Sequence, residues 1–132
     1  MPIANTNTLI RNLLIVQPPL VKLVGTRISY PKLPEGCAYP ALSFRSRPGI
    51  PANPNIPGLV SPSIEFKCWG GIKLPIVARD VYGRLYDALQ GYQGNGSILS
   101  VVEELAGQDL EDPDITDLNY VLAYFTFIIA AG

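Results

Sequence analysis

The sequence predicts an α+β domain: an antiparallel β-sheet of about four to five strands with two α-helices packed on it. Three observations carry this. The 12 Gly and 13 Pro among 132 residues punctuate the chain too often for an all-helical bundle. Short runs alternate apolar and polar residues, the period of a half-buried strand. Two other segments repeat apolar residues every three and four positions, the period of a helix. One domain, residues 1–132, is the expected organisation. A chain of this length buries roughly 65–70% of the surface its unfolded form exposes, enough for a core without staples.

Asn7 or Thr8 can cap a first helix over Leu9–Gln17, with Leu9, Ile10, Leu13 and Leu14 on one face. Pro18 and Pro19 are expected to end it, because proline removes a donor and disfavours helix before it. Gly25 opens a short strand, Thr26–Tyr30, and a second strand follows at Tyr39–Arg47, where Leu42 and Phe44 alternate with Ser43 and Arg45. A Pro-rich loop spans about 48–60. In it Pro48, Pro51, Pro54 and Pro57 recur at every third residue, the period of a polyproline II helix. It reads either as a contact arm or as a stiff connector.

Ser63–Trp69 is a third strand, with Ile64, Phe66 and Cys68 on one face and Glu65, Lys67 and Trp69 on the other, and Gly70-Gly71 breaks it. Leu74–Gln90 is the clearest helix. Leu74, Val77, Ala78, Val81, Leu85, Ala88 and Leu89 form a continuous stripe, Pro75 suits the first turn and Gly91 the left-handed position after the end. Asp80 and Arg84 stand four apart with the acid first, the favourable order. Residues 93–96 are a turn, Ser97–Ala106 a strand and Asp109–Asp117 an acidic loop. The last strand, Asn119–Ile129, is apolar on both faces, so it is central or covered on its second face by a helix or a partner.

Composition narrows the function. The chain is 48% apolar and 16% charged, where a soluble domain has about 25% charged residues. Histidine is absent, which removes the commonest general base, the Ser–His and Cys–His nucleophile pairs and the commonest metal ligand. The expectation is a structural or interaction protein, not an enzyme, with no cofactor and no metal. The acidic loop lacks the spacing and glycine of an EF-hand and reads as solvated or as an electrostatic contact. Gly91-x-x-Gly94-x-Gly96 lacks the Lys-Ser/Thr of a phosphate loop and reads as hairpin punctuation. Arg45, Arg47, Lys67, Lys73, Arg79 and Arg84 could line a basic face, but Phe44 and Phe66 sit on apolar strand faces, and the net charge of −1 is not that of a nucleic-acid binder.

That net charge hides a polarity. Residues 1–84 hold all ten bases and three acids, a net of +7, whereas residues 85–132 hold eight acids and no base, a net of −8. Either the signs interleave on the folded surface or they form opposed faces, which suit head-to-tail association of like subunits. On the second reading Arg79 and Arg84 of one subunit face Asp109, Glu111, Asp112, Asp114 and Asp117 of the next. Arg45, Arg47 and the four loop prolines complete the candidate interface. Cys37 and Cys68 fit no metal spacing and are expected as reduced, partly buried thiols. No signal segment opens the chain, and the longest apolar run, Tyr120–Ala131, is too short to span a bilayer, so a cytoplasmic location is expected. Asn95-Gly96-Ser97, a sequon by pattern, then reads as a turn.

Several landmarks together are familiar: Gly25-Thr-Arg27-Ile28-x-Tyr30-Pro31, Tyr39-Pro40-Ala41-Leu42, Ile64-Glu-Phe66-x-Cys68-Trp69-Gly70, and a helix ending Leu85-Tyr-Asp-Ala88-Leu89-Gln-Gly91. Over roughly residues 9–129 the chain resembles the tail-terminator and tail-completion proteins of long-tailed bacteriophages. The resemblance rests on hydrophobic and Gly/Pro landmarks, with no catalytic cluster among them. It implies a small α+β subunit that forms a homo-oligomeric, hexameric ring on the end of the tail tube. Such a ring stops tube growth and offers a surface to the head-side connector or neck protein. Phage DNA passes through its lumen without sequence-specific binding. The implied partners are therefore further copies, the tail tube protein and the neck protein, and no membrane. The implied location is the head-proximal end of the virion tail, after assembly in the host cytoplasm. The loop at 48–60 is longer than this family pattern leads one to expect. Two alternatives stand beside it: another tail or neck component, such as a tube protein or head–tail adaptor, and a monomeric cytoplasmic module that binds peptide or nucleic acid.

Overall fold

The computed structural model describes residues 6–30, 32–34, 36–46, 59–92 and 98–130. In chain order these form α1 (Thr6–Leu14), α2 (Pro18–Val24), β1 (Ile28–Ser29), β2 (Ala41–Ser46), β3 (Leu59–Val60), β4 (Ser63–Ile72), α3 (Pro75–Leu89), β5 (Ile98–Glu111) and β6 (Leu118–Ala130). The class is α+β, as the sequence predicts, with a third helix and a mixed sheet as the differences. Six strands lie in five ranks, β1–β2–β4–β6–β5, because β3 pairs with the far end of the same β6 that β4 pairs with. The loop expected at 48–60 lies outside the described residues except for its end, where Leu59 and Val60 face Ala130 and Ile129.

Strand alternation sets the core. Leu42 and Phe44 of β2 stand beside Cys68 and Phe66 of β4, which in turn face Val121 and Ala123 of β6. Phe66 is the hub, 5.7 Å from Phe44, 5.5 Å edge-on to Phe125 and 6.2 Å from Phe127 between ring centroids. The helices close this face: Ile10 and Leu14 from α1, Leu20 and Val24 from α2, and Ala78, Val81, Leu85 and Leu89 from α3 are all buried against it. The stripe predicted for α3 is the stripe that packs.

Four sequence expectations are corrected. Pro18 and Pro19 do not stop a helix at Gln17. α1 ends at Leu14 and the two prolines occupy the first turn of α2, where the missing N–H groups have no helical partner to lose. β1 runs parallel to β2, Ile28 beside Leu42, so the sheet is mixed. Gly70-Gly71 does not break the third strand. The pair forms a bulge, and the ladder resumes with Gly71 against Asn119 and Ile72 against Leu118. The acidic loop is shorter than expected, because β5 continues through Asp109, Leu110 and Glu111, which pair with Val121, Tyr120 and Asn119. A 13-residue neighbour that is apolar on both faces holds even an acidic segment in the ladder.

The second face of the sheet has its own small cluster. Ala41, Trp69 and Leu118 are buried there beneath Leu33, Cys37 and Tyr120, with Trp69 and Tyr120 ring centroids 4.7 Å apart. The Trp69 indole N–H donates to the Ser43 hydroxyl at 3.0 Å, so a buried donor is satisfied. Leu33 and Cys37 thus cover one end of the face that β6 was expected to offer a helix or partner. Cys37 is half-buried and Cys68 buried, both as free thiols.

Candidate functional site

Two surfaces stand out beside this core, the second half of β5 and a groove across the second face. β5 has β6 on one side. On its other side the Gly91 N–H donates to the Val101 carbonyl, the Val101 N–H to the Tyr92 carbonyl, and the Glu103 N–H to the Gln90 side-chain carbonyl at 2.7 Å. Among the described residues the next contact to the backbone on this side is the one Arg79 makes at Gly107. From residue 104 to residue 111 every residue except Gly107 is exposed, with Leu105 and Leu110 each 38% accessible. Register shifts at 103–105 and 105–108 bend this half of the strand.

One side chain latches it to the helix layer. Arg79 of α3 donates to the Asp109 carboxylate at 2.7 Å and to the Gly107 carbonyl at 3.1 Å. Its hydrogen bond to Asp109 raises its pKa further, against a smaller opposing effect of burial. Arg79 also sits 5.6 Å from the centroid of the Tyr82 ring, and the Tyr82 hydroxyl donates to Glu103. Burial raises the Tyr82 phenol first, and the Glu103 hydrogen bond adds to it. Gly107 is there for space: a Cβ would come within 2.7 Å of Val121 Cγ1 and 2.9 Å of Tyr82 Cζ.

The groove lies between residues 32–34 and 36–39 on one side and the β5–β6 turn on the other. Its floor is Lys67 and Trp69, its walls carry Lys32, Leu33 and Tyr39 on one side and Ile115 on the other, and its volume is about 570 Å³. It runs on into a hollow of about 240 Å³ that shares Lys32, Leu33, Lys67 and Trp69 and reaches Arg45. The Lys67 ammonium lies 5.9 Å from the Trp69 centroid and 5.3 Å from that of Tyr120, a cation over two aromatic rings.

The predicted interface residues divide among these places. Arg45 reaches Glu65 at 3.1 Å across β2 and β4, and Glu65, only 7% exposed, also accepts from the Tyr124 hydroxyl at 3.4 Å. Arg84 pairs with Asp80 at 3.1 Å in the predicted i, i+4 order and donates to the Pro19 carbonyl at 2.7 Å, tying α3 to α2. Both guanidinium groups assigned to a seam with another subunit are thus also engaged within the chain, Arg79 with Asp109 and Arg84 with Asp80. Glu111 accepts the Asp117 N–H at 2.7 Å, and Asp112 accepts the N–H groups of Asp114 and Ile115 at 2.8 and 3.0 Å, so these acids build the turn. Arg47, Pro48, Pro51, Pro54 and Pro57 lie outside the described residues.

Sequence reasoning missed Lys32, Tyr39 and the groove. Its floor was legible, because Lys67 and Trp69 were assigned to the second face of their strand. The wall was not, because segment 32–39 has no periodicity to place it. Among the described residues no group of three or more His, Cys, Asp or Glu side chains could hold a metal ion. No helix of the described residues is long and apolar enough to cross a membrane. No protein-family model matches the chain, and no curated protein matches it.

Proposed function

We propose that the chain is a non-enzymatic structural subunit that assembles with copies of itself into a ring. The ring is of the kind that phage tail-terminator and tail-completion proteins, which the sequence resembles, form at the head-proximal end of a tail tube. The observation that carries the reading is the second half of β5, which among the described strands pairs with β6 alone, with seven of its eight residues exposed and three of them acidic. A long exposed strand edge is a template for association. The charge polarity supports a like subunit as the partner, since the acidic half of the chain supplies β5 and its turn while the basic half supplies the floor and one wall of the groove. In this role the ring, six subunits in the family pattern, would meet the tail tube protein on one side and the neck protein on the other. DNA would cross its lumen without being read.

The test is to add the purified protein to a polymerising tail tube protein and measure tube lengths by electron microscopy. Short tubes, each ending in one ring-shaped density, are the expected result. Tubes of unaltered length with bare ends would overturn the reading, and incorporation along their length would instead identify a tube protein.

A further inference from the structure

The groove and the β5 edge are complementary in sign and in shape. The groove and its extension hold three cations, Lys32, Arg45 and Lys67, and two acids, Glu65 and Asp112. Glu65 pairs with Arg45, and Asp112 keeps its charge while accepting two backbone N–H groups, so the lining carries a net +1. Among the described residues neither lysine ammonium has a carboxylate partner. What remains is a positive trough floored by Trp69 and walled by Leu33, a receptor for a segment both acidic and apolar. β5 supplies such a segment, with Leu105 and Leu110 exposed beside Glu111 and beside Asp109, whose charge Arg79 already shares.

We infer that residues 105–111 of β5 in one copy lie in the Lys32–Lys67–Trp69 groove of the next copy. This rests on the ring-subunit reading and names its contact. Residues 103–117 contain seven acids and no base, so pairing β5 with β5 across a two-fold axis would set like charges against each other. The edge and the groove are different patches of one surface. A contact between them is heterologous, and it propagates around a ring or along a filament instead of stopping at a dimer. Seven strand residues span about 23 Å.

Two variants test this by sedimentation equilibrium on the full chain: Lys32→Glu with Lys67→Glu in the groove, and Gln108→Lys with Glu111→Lys on the strand. Each alone is expected to self-associate at least tenfold more weakly than the unaltered protein while keeping its circular dichroism. An equimolar mixture is expected to recover assembly, because every contact in an alternating ring then joins opposite signs, and an even-numbered ring closes. Unaltered assembly of either variant, or a mixture that stays dissociated, overturns the inference while leaving ring formation standing. An unaltered protein that remains monomeric to millimolar concentration overturns both.

Discussion

Gly70 is where α3 meets the sheet most closely, and replacing it with alanine tests the packing directly. An added Cβ would stand 2.3 Å from the Leu74 carbonyl oxygen, 2.5 Å from the Ala78 nitrogen and 2.9 Å from the Ala78 Cβ. Two of these three atoms are backbone, so no rotamer change relieves them. Real Cβ contacts essentially never fall below 3.0 Å, so the first turn of α3 must withdraw by about 0.7 Å, the difference from 2.3 Å. A gap of about 0.5–1 Å forfeits a quarter to a half of each dispersion contact across it. Ala78 and Val81 bear most of that loss, being the buried residues nearest the clash. Overpacking a core typically costs 1–3 kcal/mol, and the added loss sets the expected destabilisation of Gly70→Ala at about 2–4 kcal/mol. Urea unfolding followed by Trp69 fluorescence measures it. Gly107→Ala should cost less, about 1–2 kcal/mol, because its close atoms belong to the side chains of Val121 and Tyr82, which can give way. A Gly70→Ala loss below about 0.5 kcal/mol, or the reverse order of the two variants, would refute this account of how α3 sits on β4.

Gly91→Ala isolates a backbone effect: at φ +74° with nothing within 4 Å of its Cβ, the substitution should cost about 1 kcal/mol by strain alone. Thermal unfolding checks it. Burial pushes the Cys68 thiol up, and the Tyr39, Tyr82 and Tyr120 phenols are raised first by burial as well. Groups whose folded pKa lies above the unfolded value stabilise fully below the unfolded value and lose that contribution as pH rises. The urea midpoint should therefore hold to about pH 8.5 and fall through pH 9–11, and a midpoint that climbs in this window would contradict the burial. A thiol reagent at neutral pH should modify Cys37 and leave Cys68 until the chain unfolds, giving one equivalent and then two. Tyr82→Phe removes the donor to Glu103 and should cost about 1 kcal/mol in the same unfolding assay.

The elements legible in the sequence are those whose side chains keep a strict period. The stripe of α3 and the alternation of Phe44, Phe66 and Cys68 place the core from sequence, and the apolar double face of β6 marks it as central or covered on its second face; it lies inside the sheet between β4 and β5. Where the period fails, local rules pointed the wrong way. Pro18-Pro19 obeys two rules at once, stopping one helix and starting another, and only the packing of Leu20 and Val24 chooses between them. Asp109 and Glu111 look like loop residues, yet β6 holds their backbone in the ladder. The candidate site was half legible for the same reason. Charge polarity left open whether the signs interleave or form opposed faces, and which cations remain available depends on contacts 28 to 65 residues apart, such as Arg79 with Gly107 and Arg84 with Pro19.

The account stands on self-assembly, and negative-stain electron microscopy of the purified protein across a wide concentration range tests it most directly. Closed rings of one diameter, appearing as concentration rises, are the predicted result. Small uniform particles at every concentration, or open filaments without rings, would contradict it.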